Sequence, residues 1–221
     1  MNEPEEIVYG KRPVAEAKRG RRRVRRVWTS PETETDELTR IAGSPDHQGV
    51  VAEVDPFPYA DAAALLAGEE ALVVALDQIQ DPQNLGAICR SAEAAGADGV
   101  VIPDRRAVAV TPAVAKASAG AVEHLPVARV GNLADWLGLA KEAGAWIYGA
   151  EANAEAPYSQ TDLSGKTVLV FGSEGKGLRP RVAGACDQLI SIPVRGRVSS
   201  LNVSAAAAAV LFEAVRQRGR V

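Results

Sequence analysis

Phe171-Gly172-Ser173-Glu174-Gly175-Lys176-Gly177-Leu178 follows an apolar run at 168–171, and Ile192-Pro193-Val194-Arg195-Gly196-Arg197-Val198-Ser199-Ser200-Leu201-Asn202-Val203-Ser204 follows a second run at 189–192. Each stretch sets glycines and small polar groups at the C-terminal end of an expected strand, the edge where open α/β sheets bind ligands. The second leads into an expected helix over 201–215, with Leu201, Ala205, Ala208, Phe212 and Val215 on one face and Ser199 or Ser200 as N-cap. Unpaired N–H groups at that helix start favour an anionic group. The alanines at 205–209 keep the helix thin enough to pack against backbone or a second subunit.

Working outward, strand-like runs at 71–76, 99–102, 145–148, 168–171 and 189–192 alternate with helical stretches at 85–95, 111–119, 133–143 and 201–215. The pattern predicts an α/β class, a mostly parallel sheet with helices on both faces. No Gly-x-Gly-x-x-Gly follows the first strand, which argues against a nicotinamide-binding domain.

A third block, Leu76-Asp77-Gln78-Ile79-Gln80-Asp81-Pro82-Gln83-Asn84-Leu85-Gly86-Ala87-Ile88-Cys89-Arg90, precedes the other two, with Ser118-Ala119-Gly120-Ala121-Val122-Glu123-His124-Leu125-Pro126 between. In order and spacing, the three blocks resemble the signature motifs of the SpoU/TrmH family of RNA ribose 2′-O-methyltransferases, over residues 70–221. The resemblance implies a C-terminal deep trefoil knot that binds S-adenosylmethionine, and a homodimer in which a site can draw on both subunits. It implies cofactor binding by Gly172, Ile192 and Leu201, with Glu174, Ser200 and Asn202 as polar groups beside the donor or the ribose. Asn84 is expected to cap a helix beginning at Leu85. Arg90, off that helix's apolar stripe, is expected to position a phosphate and stabilise the developing 2′-alkoxide; a guanidinium with a pKa above about 12 is a poor general base.

The 221 residues, 47% of them hydrophobic, allow one large domain or a small one plus a medium one. No apolar stretch reaches the length of a membrane span and the N-terminus is acidic rather than signal-like, so a cytoplasmic protein is expected. Cys89 and Cys186, like His47 and His124, lack metal-ligand spacing, so no metal is expected.

Net charge is −3, yet residues 1–30 carry +5 and the rest −8. Seven cations crowd Lys18-Arg19-Gly20-Arg21-Arg22-Arg23-Val24-Arg25-Arg26, and Arg21, Arg22, Arg23, Arg25 and Arg26 are candidate phosphate contacts on RNA. With Val8-Tyr9-Gly10-Lys11-Arg12-Pro13-Val14-Ala15-Glu16-Ala17 and His47-Gln48-Gly49-Val50-Val51-Ala52-Glu53-Val54, this run resembles the small substrate-binding domain of the family's rRNA guanosine branch, related to an RNA-binding ribosomal protein. Residues 31–46 are short for that domain by about a strand and a helix, so an abbreviated small domain is expected. Pro56, Phe57, Pro58 and Tyr59 interrupt regular structure. The expected organisation is an RNA-binding domain at 1–60, a linker with a short Ala/Leu helix at 61–70, and the methyltransferase domain at 71–221. The function implied is methylation of guanosine in large-subunit rRNA. A tRNA methyltransferase and a non-catalytic RNA-binding protein of the same fold are the alternatives.

Overall fold

Strand β4 (Leu72–Asp77) is buried along its whole length, and its side chains sort by parity. Leu72, Val74 and Leu76 enter one core; Val73 and Ala75 enter another on the opposite face. A sheet covered on both sides demands continuous apolar strands, which is how β4 and β9 (Thr167–Gly172) read. Each large side chain so buried contributes about 1.5–3 kcal/mol relative to exposure.

The computed structural model describes residues 6–173, 175–197 and 200–219. Around β4 and β9 lie β5 (Gly99–Pro103), β6 (Val127–Val130), β7 (Trp146–Ala150), β8 (Ala156–Pro157) and β10 (Gln188–Ser191). Their order is β6-β5-β4-β9-β7-β10-β8, and every neighbouring pair is parallel. Helices α3 (Pro82–Ala94), α4 (Pro112–Ala117) and α7 (Val203–Gln217) cover one face; α5 (Leu133–Glu142) and α6 (Pro180–Ala183) cover the other. The expected α/β class and parallel sheet are present, with β6 and β8 in addition.

Three details differ from expectation. Asp81, not Asn84, caps α3: its carboxylate accepts from Gln83 N at 2.9 Å and Pro82 opens the helix, so the helix starts three residues before Leu85. Asn202 caps α7, accepting from Ser204 N at 2.9 Å, in place of a serine; Ser199 lies outside the described residues. The buried face of α7 is Val203, Ala207, Val210, Leu211, Ala214 and Val215. Of the stripe expected inside, Leu201 precedes the helix, and Ala205 and Phe212 point outward.

Residues before the parallel sheet form a three-stranded antiparallel sheet of β1 (Glu6–Tyr9), β2 (Val24–Thr29) and β3 (Val50–Val54), in the order β1-β3-β2. Helix α1 (Lys11–Ala17) and helix α2 (Thr35–Ala42) flank it. The short 31–46 excursion is therefore folded: α2 packs Leu38, with no exposed surface, on Tyr9 and Val51. Val8, Val14, Ala17, Ala52 and Val54 share one continuous core with α3, α4 and α7.

The basic run builds this junction. Arg22 is buried, donates to Glu123 Oε2 from Nε at 3.0 Å, pairs with Glu123 again through Nη2, and reaches Glu6 at 2.9 Å. Arg21 donates to the carbonyls of Leu125 (2.7 Å), Val122 and Glu123 (both 3.4 Å). Gly120, at φ 90, abuts α1 so closely that a Cβ there would lie 2.6 Å from Glu16 Cβ. His124 holds the Glu16 carboxyl below its usual range through a 2.9 Å hydrogen bond. Of these candidates for RNA contact, Arg22 spends its donors inside the fold, while Arg21 is exposed and spends Nε and Nη2 on those carbonyls. Arg25 pairs with Asp55 at 2.5 Å. Arg26, 4.8 Å over the Trp28 ring, and Arg23 remain at the surface.

Residues 56–70 are packed rather than extended. Phe57 stacks edge-on to Tyr59 and Ala60 bridges to Ala128, while Leu65 and Leu66 enter the core under the sheet. Only a single 3-10 turn, Ala64–Leu66, forms where a helix was expected, because both leucines must face inward together.

Candidate active site

The C-terminal ends of β7, β9 and β10 and the start of α7 enclose a cavity of about 760 Å³. Phe171, Gly172, Ile190, Ile192, Leu201 and Val203 supply its apolar wall, and Glu151, Asn153, Ser173, Ser200 and Asn202 its polar groups. Five residues singled out in the sequence, Gly172, Ile192, Ser200, Leu201 and Asn202, thus meet at one cavity. Glu174 lies outside the described residues.

Gly172 has a local reason to lack a side chain. A Cβ there would lie 2.2 Å from both Gly177 C and Gly177 O, and 2.5 Å from Leu178 N. The chain turns back at 173–177, where Gly177 N donates to Ser173 O at 3.0 Å. Gly172→Ala is therefore expected to displace this turn and weaken ligand binding in the cavity at least tenfold, about 1.4 kcal/mol. Isothermal calorimetry against S-adenosylmethionine, the donor bound by the solved relatives described below, measures it.

Two residues that sequence reasoning passed over flank this turn. Asp77, buried at the end of β4, accepts from Arg179 N at 2.8 Å and from Arg179 Nε and Nη2 at 2.7 Å. Its signal was a lone carboxylate closing an apolar run. Glu151, past the end of β7, puts Oε2 where a Cβ on Gly177 would be only 2.8 Å away.

A smaller cleft of about 260 Å³ adjoins the cavity, lined by Gln78, Ile79, Gln80, Asp81, Asn84, Ser173 and Lys176. Ser173 and Lys176 border both spaces. Asn202 Nδ2 donates to Asn84 Oδ1 at 2.9 Å, so one hydrogen bond spans from cavity to cleft. Arg90 is exposed on α3 and lines neither space. Among the described residues no three of His, Cys, Asp and Glu come together to hold a metal, and no helix is long and apolar enough to cross a membrane. Burial pushes the Cys89 and Cys186 thiols up to about 12, so neither is a thiolate near neutrality.

A parallel sheet with a deep cavity at its C-terminal edge, closed by the last helix, defines an α/β ligand-binding protein whose chemistry lies in loops after β4, β9 and β10. Residues 71–212 match the SpoU rRNA Methylase family, and the chain belongs to it. YacO of Bacillus subtilis, placed among TrmH family tRNA/rRNA methyltransferases, is 40% identical over all of this chain and 99% of its own length. A TrmH family tRNA/rRNA methyltransferase of Staphylococcus saprophyticus is 44% identical, covering 88% of this chain and 79% of that one. Among solved structures, the SpoU methyltransferase AviRb of Streptomyces viridochromogenes, in complex with AdoMet, superposes with a TM-score of 0.81 at 30% identity, over 96% of this chain and 90% of that one. An AdoMet-bound rRNA methyltransferase of Sinorhizobium meliloti gives 0.85 at 26% identity, over 96% and 87%. The protein is thus an RNA methyltransferase of the TrmH/SpoU family.

Proposed function

We propose that this enzyme transfers a methyl group from S-adenosylmethionine to a ribose 2′-hydroxyl of RNA, on guanosine in large-subunit rRNA, as a knotted homodimer. The observation that carries the reading is the juxtaposition of a large cavity and a small polar cleft joined by the Asn84–Asn202 hydrogen bond. A two-substrate transfer needs two adjoining sites, and holding both reactants aligned can supply about 7–11 kcal/mol of the barrier reduction.

The larger cavity suits S-adenosylmethionine. Its apolar wall offers a seat for adenine, the backbone of the 172–177 turn approaches closely, and the Glu151 carboxylate offers an acceptor to ribose hydroxyls. Once bound, the group supplies an electrophilic methyl on a sulfonium. Asn84, Asn202 and Ser200, with Glu174, would orient the acceptor hydroxyl; as its oxygen bonded to the methyl carbon the carbon–sulfur bond would break, leaving its electron pair on sulfur, and the hydroxyl proton would pass to water. Arg90 steadies the developing charge. Because it faces outward, we assign it to the site of the partner subunit.

The outer face of α7 supports the homodimer, since Phe212 is 49% exposed and Leu201 48% in the single chain. The knot is supported by the place of α7, which follows β10 in the chain yet packs against α3 and β9 in the middle of the sheet. Surface Arg26 on β2 and Arg23 just before it, two of the five candidate arginines, support an RNA contact there.

The reading is tested by incubating the purified chain with methyl-labelled S-adenosylmethionine and rRNA or tRNA from a strain lacking the gene, followed by nucleoside analysis. Label is expected as 2′-O-methylguanosine in rRNA. Label in tRNA would replace the substrate, and label in neither would remove the activity.

A further inference from the structure

Two loops beside the cleft carry features that the methyl-transfer machinery leaves unused. Among the described residues only Gln48, Gln78, Arg106 and Ala119 are non-glycines at positive φ. Two of the four, Gln78 (φ 62) and Arg106 (φ 60), lie on the loops after β4 and β5. Such a conformation is strained and persists only where the surroundings impose it. Here the loops brace each other: Val108 N donates to Ile79 O at 2.9 Å, and Gln80 Nε2 reaches Arg106 O at 3.5 Å.

The cleft, walled by the loop after β4 and by Ser173 and Lys176 after β9, is polar apart from buried Ile79. The carboxamides of Gln78 and Gln80 each present a donor and an acceptor, the set needed to read the edge of a nucleobase, and Ile79 offers an apolar contact. At about 260 Å³ the cleft is roughly a third of the cofactor cavity, the scale of one nucleoside rather than a second cofactor. Arg105 and Arg106 next to it are exposed, and their guanidinium groups make no hydrogen bond or ion pair among the described residues. The neighbouring Asp104 does not neutralise them, because Arg129 holds its carboxylate at 3.0 Å and its carbonyl at 3.3 Å. Lys176, also exposed, adds a third cation at the rim shared with the cavity.

We propose that the cleft lined by Gln78, Ile79, Gln80 and Asn84 holds the target nucleoside, with Gln78 and Gln80 reading its base and Arg105 and Arg106 taking an adjoining phosphodiester. The proposal rests on the methyltransferase reading. It places the acceptor ribose beside Asn84, at the Asn202–Asn84 hydrogen bond that joins cleft to cavity.

The test compares the parent chain with R105Q/R106Q and with Q80A, using methyl-labelled S-adenosylmethionine and rRNA from the deletion strain. The arginine variant is expected to raise KM for RNA about tenfold with kcat within twofold. Its slope of log affinity against log salt should fall by about 0.7–1.4, at about 0.7 per single-strand phosphate contact. Gln80→Ala is expected to raise KM and to spread label onto nucleosides the parent leaves unmodified. Unchanged KM and salt slope in R105Q/R106Q would overturn the phosphate contact, and unchanged label distribution in Q80A would overturn the base reading. Folding of each variant is checked by its thermal stabilisation with S-adenosylmethionine. If the parent itself labels no RNA, the methyltransferase reading fails. Anisotropy of a short fluorescein-labelled single-stranded RNA of mixed sequence then still decides the arginine contact: equal affinity for parent and R105Q/R106Q overturns it.

Discussion

Replacing Arg90 by alanine is expected to slow methyl transfer by about 10²–10³-fold, the usual loss when one donor to a developing oxyanion is removed, while cofactor affinity changes less than tenfold. Arg90 lies on the solvent side of α3, opposite the buried Leu85, Ile88, Cys89 and Ala92, and lines no cavity of its own chain. Its truncation leaves packing intact, so calorimetry with S-adenosylmethionine should hardly register it. If Arg90 serves the neighbouring subunit, two inactive chains can complement each other. Mixing Arg90→Ala with Gly172→Ala protein after subunit exchange should restore up to about a quarter of the parent rate, because half of the dimers then hold one intact composite site. No recovery, together with a concentration-independent rate for the parent, would return Arg90 to its own chain.

Glu123→Ala is expected to lower unfolding free energy by about 3–5 kcal/mol, the cost of leaving a buried partner charge uncompensated. The Arg22 side chain is only 3% exposed and that of Glu123 fully buried, so water cannot take over the lost contact. Glu6, 36% exposed, remains beside Arg22 and draws the effect toward the lower end. Denaturant titration measures the loss. The double replacement Arg22→Met with Glu123→Leu should recover most of it, since a well-packed apolar pair avoids the desolvation that the ion pair must offset. A double variant as unstable as Glu123→Ala would show that the pair acts through its hydrogen-bond geometry and not its charge.

The parallel sheet was legible because strands buried on both faces carry long apolar runs, and the turn after β9 because its glycines admit few backbone paths. What escaped reading depended on partners distant in the chain. The cation-rich stretch looked solvent-facing because the carboxylate that neutralises Arg22 lies 101 positions away. Nothing local distinguishes a paired arginine from a free one. Helix α7 misled for another reason: alanines occupy both sides, so periodicity offered two stripes, and its charges, Glu213 and Arg216, come only near its end. The start of α3 was readable, since Asp81-Pro82 is the stronger helix-opening signal than Asn84. Strand β6, with only four residues and an arginine among them, fell below what alternation can detect. The cleft was invisible because its walls come from loops after β4 and β9, brought together only by the pairing of those strands.

The junction of exposed Arg21 with buried Arg22, Glu123 and Gly120 bears on target choice. It locks the antiparallel sheet to α4 and the segment after it through charge, hydrogen bonds and close backbone contact at once, leaving no hinge for the two parts to swing about. On the proposed reading, Arg23 and Arg26 then stand at a constant separation from the nucleoside cleft, like the jaws of a caliper. An RNA qualifies by bringing a backbone segment and a reachable ribose to that gauge. The molecule measures a folded shape, and a substrate with the right letters at the wrong spacing passes unmodified.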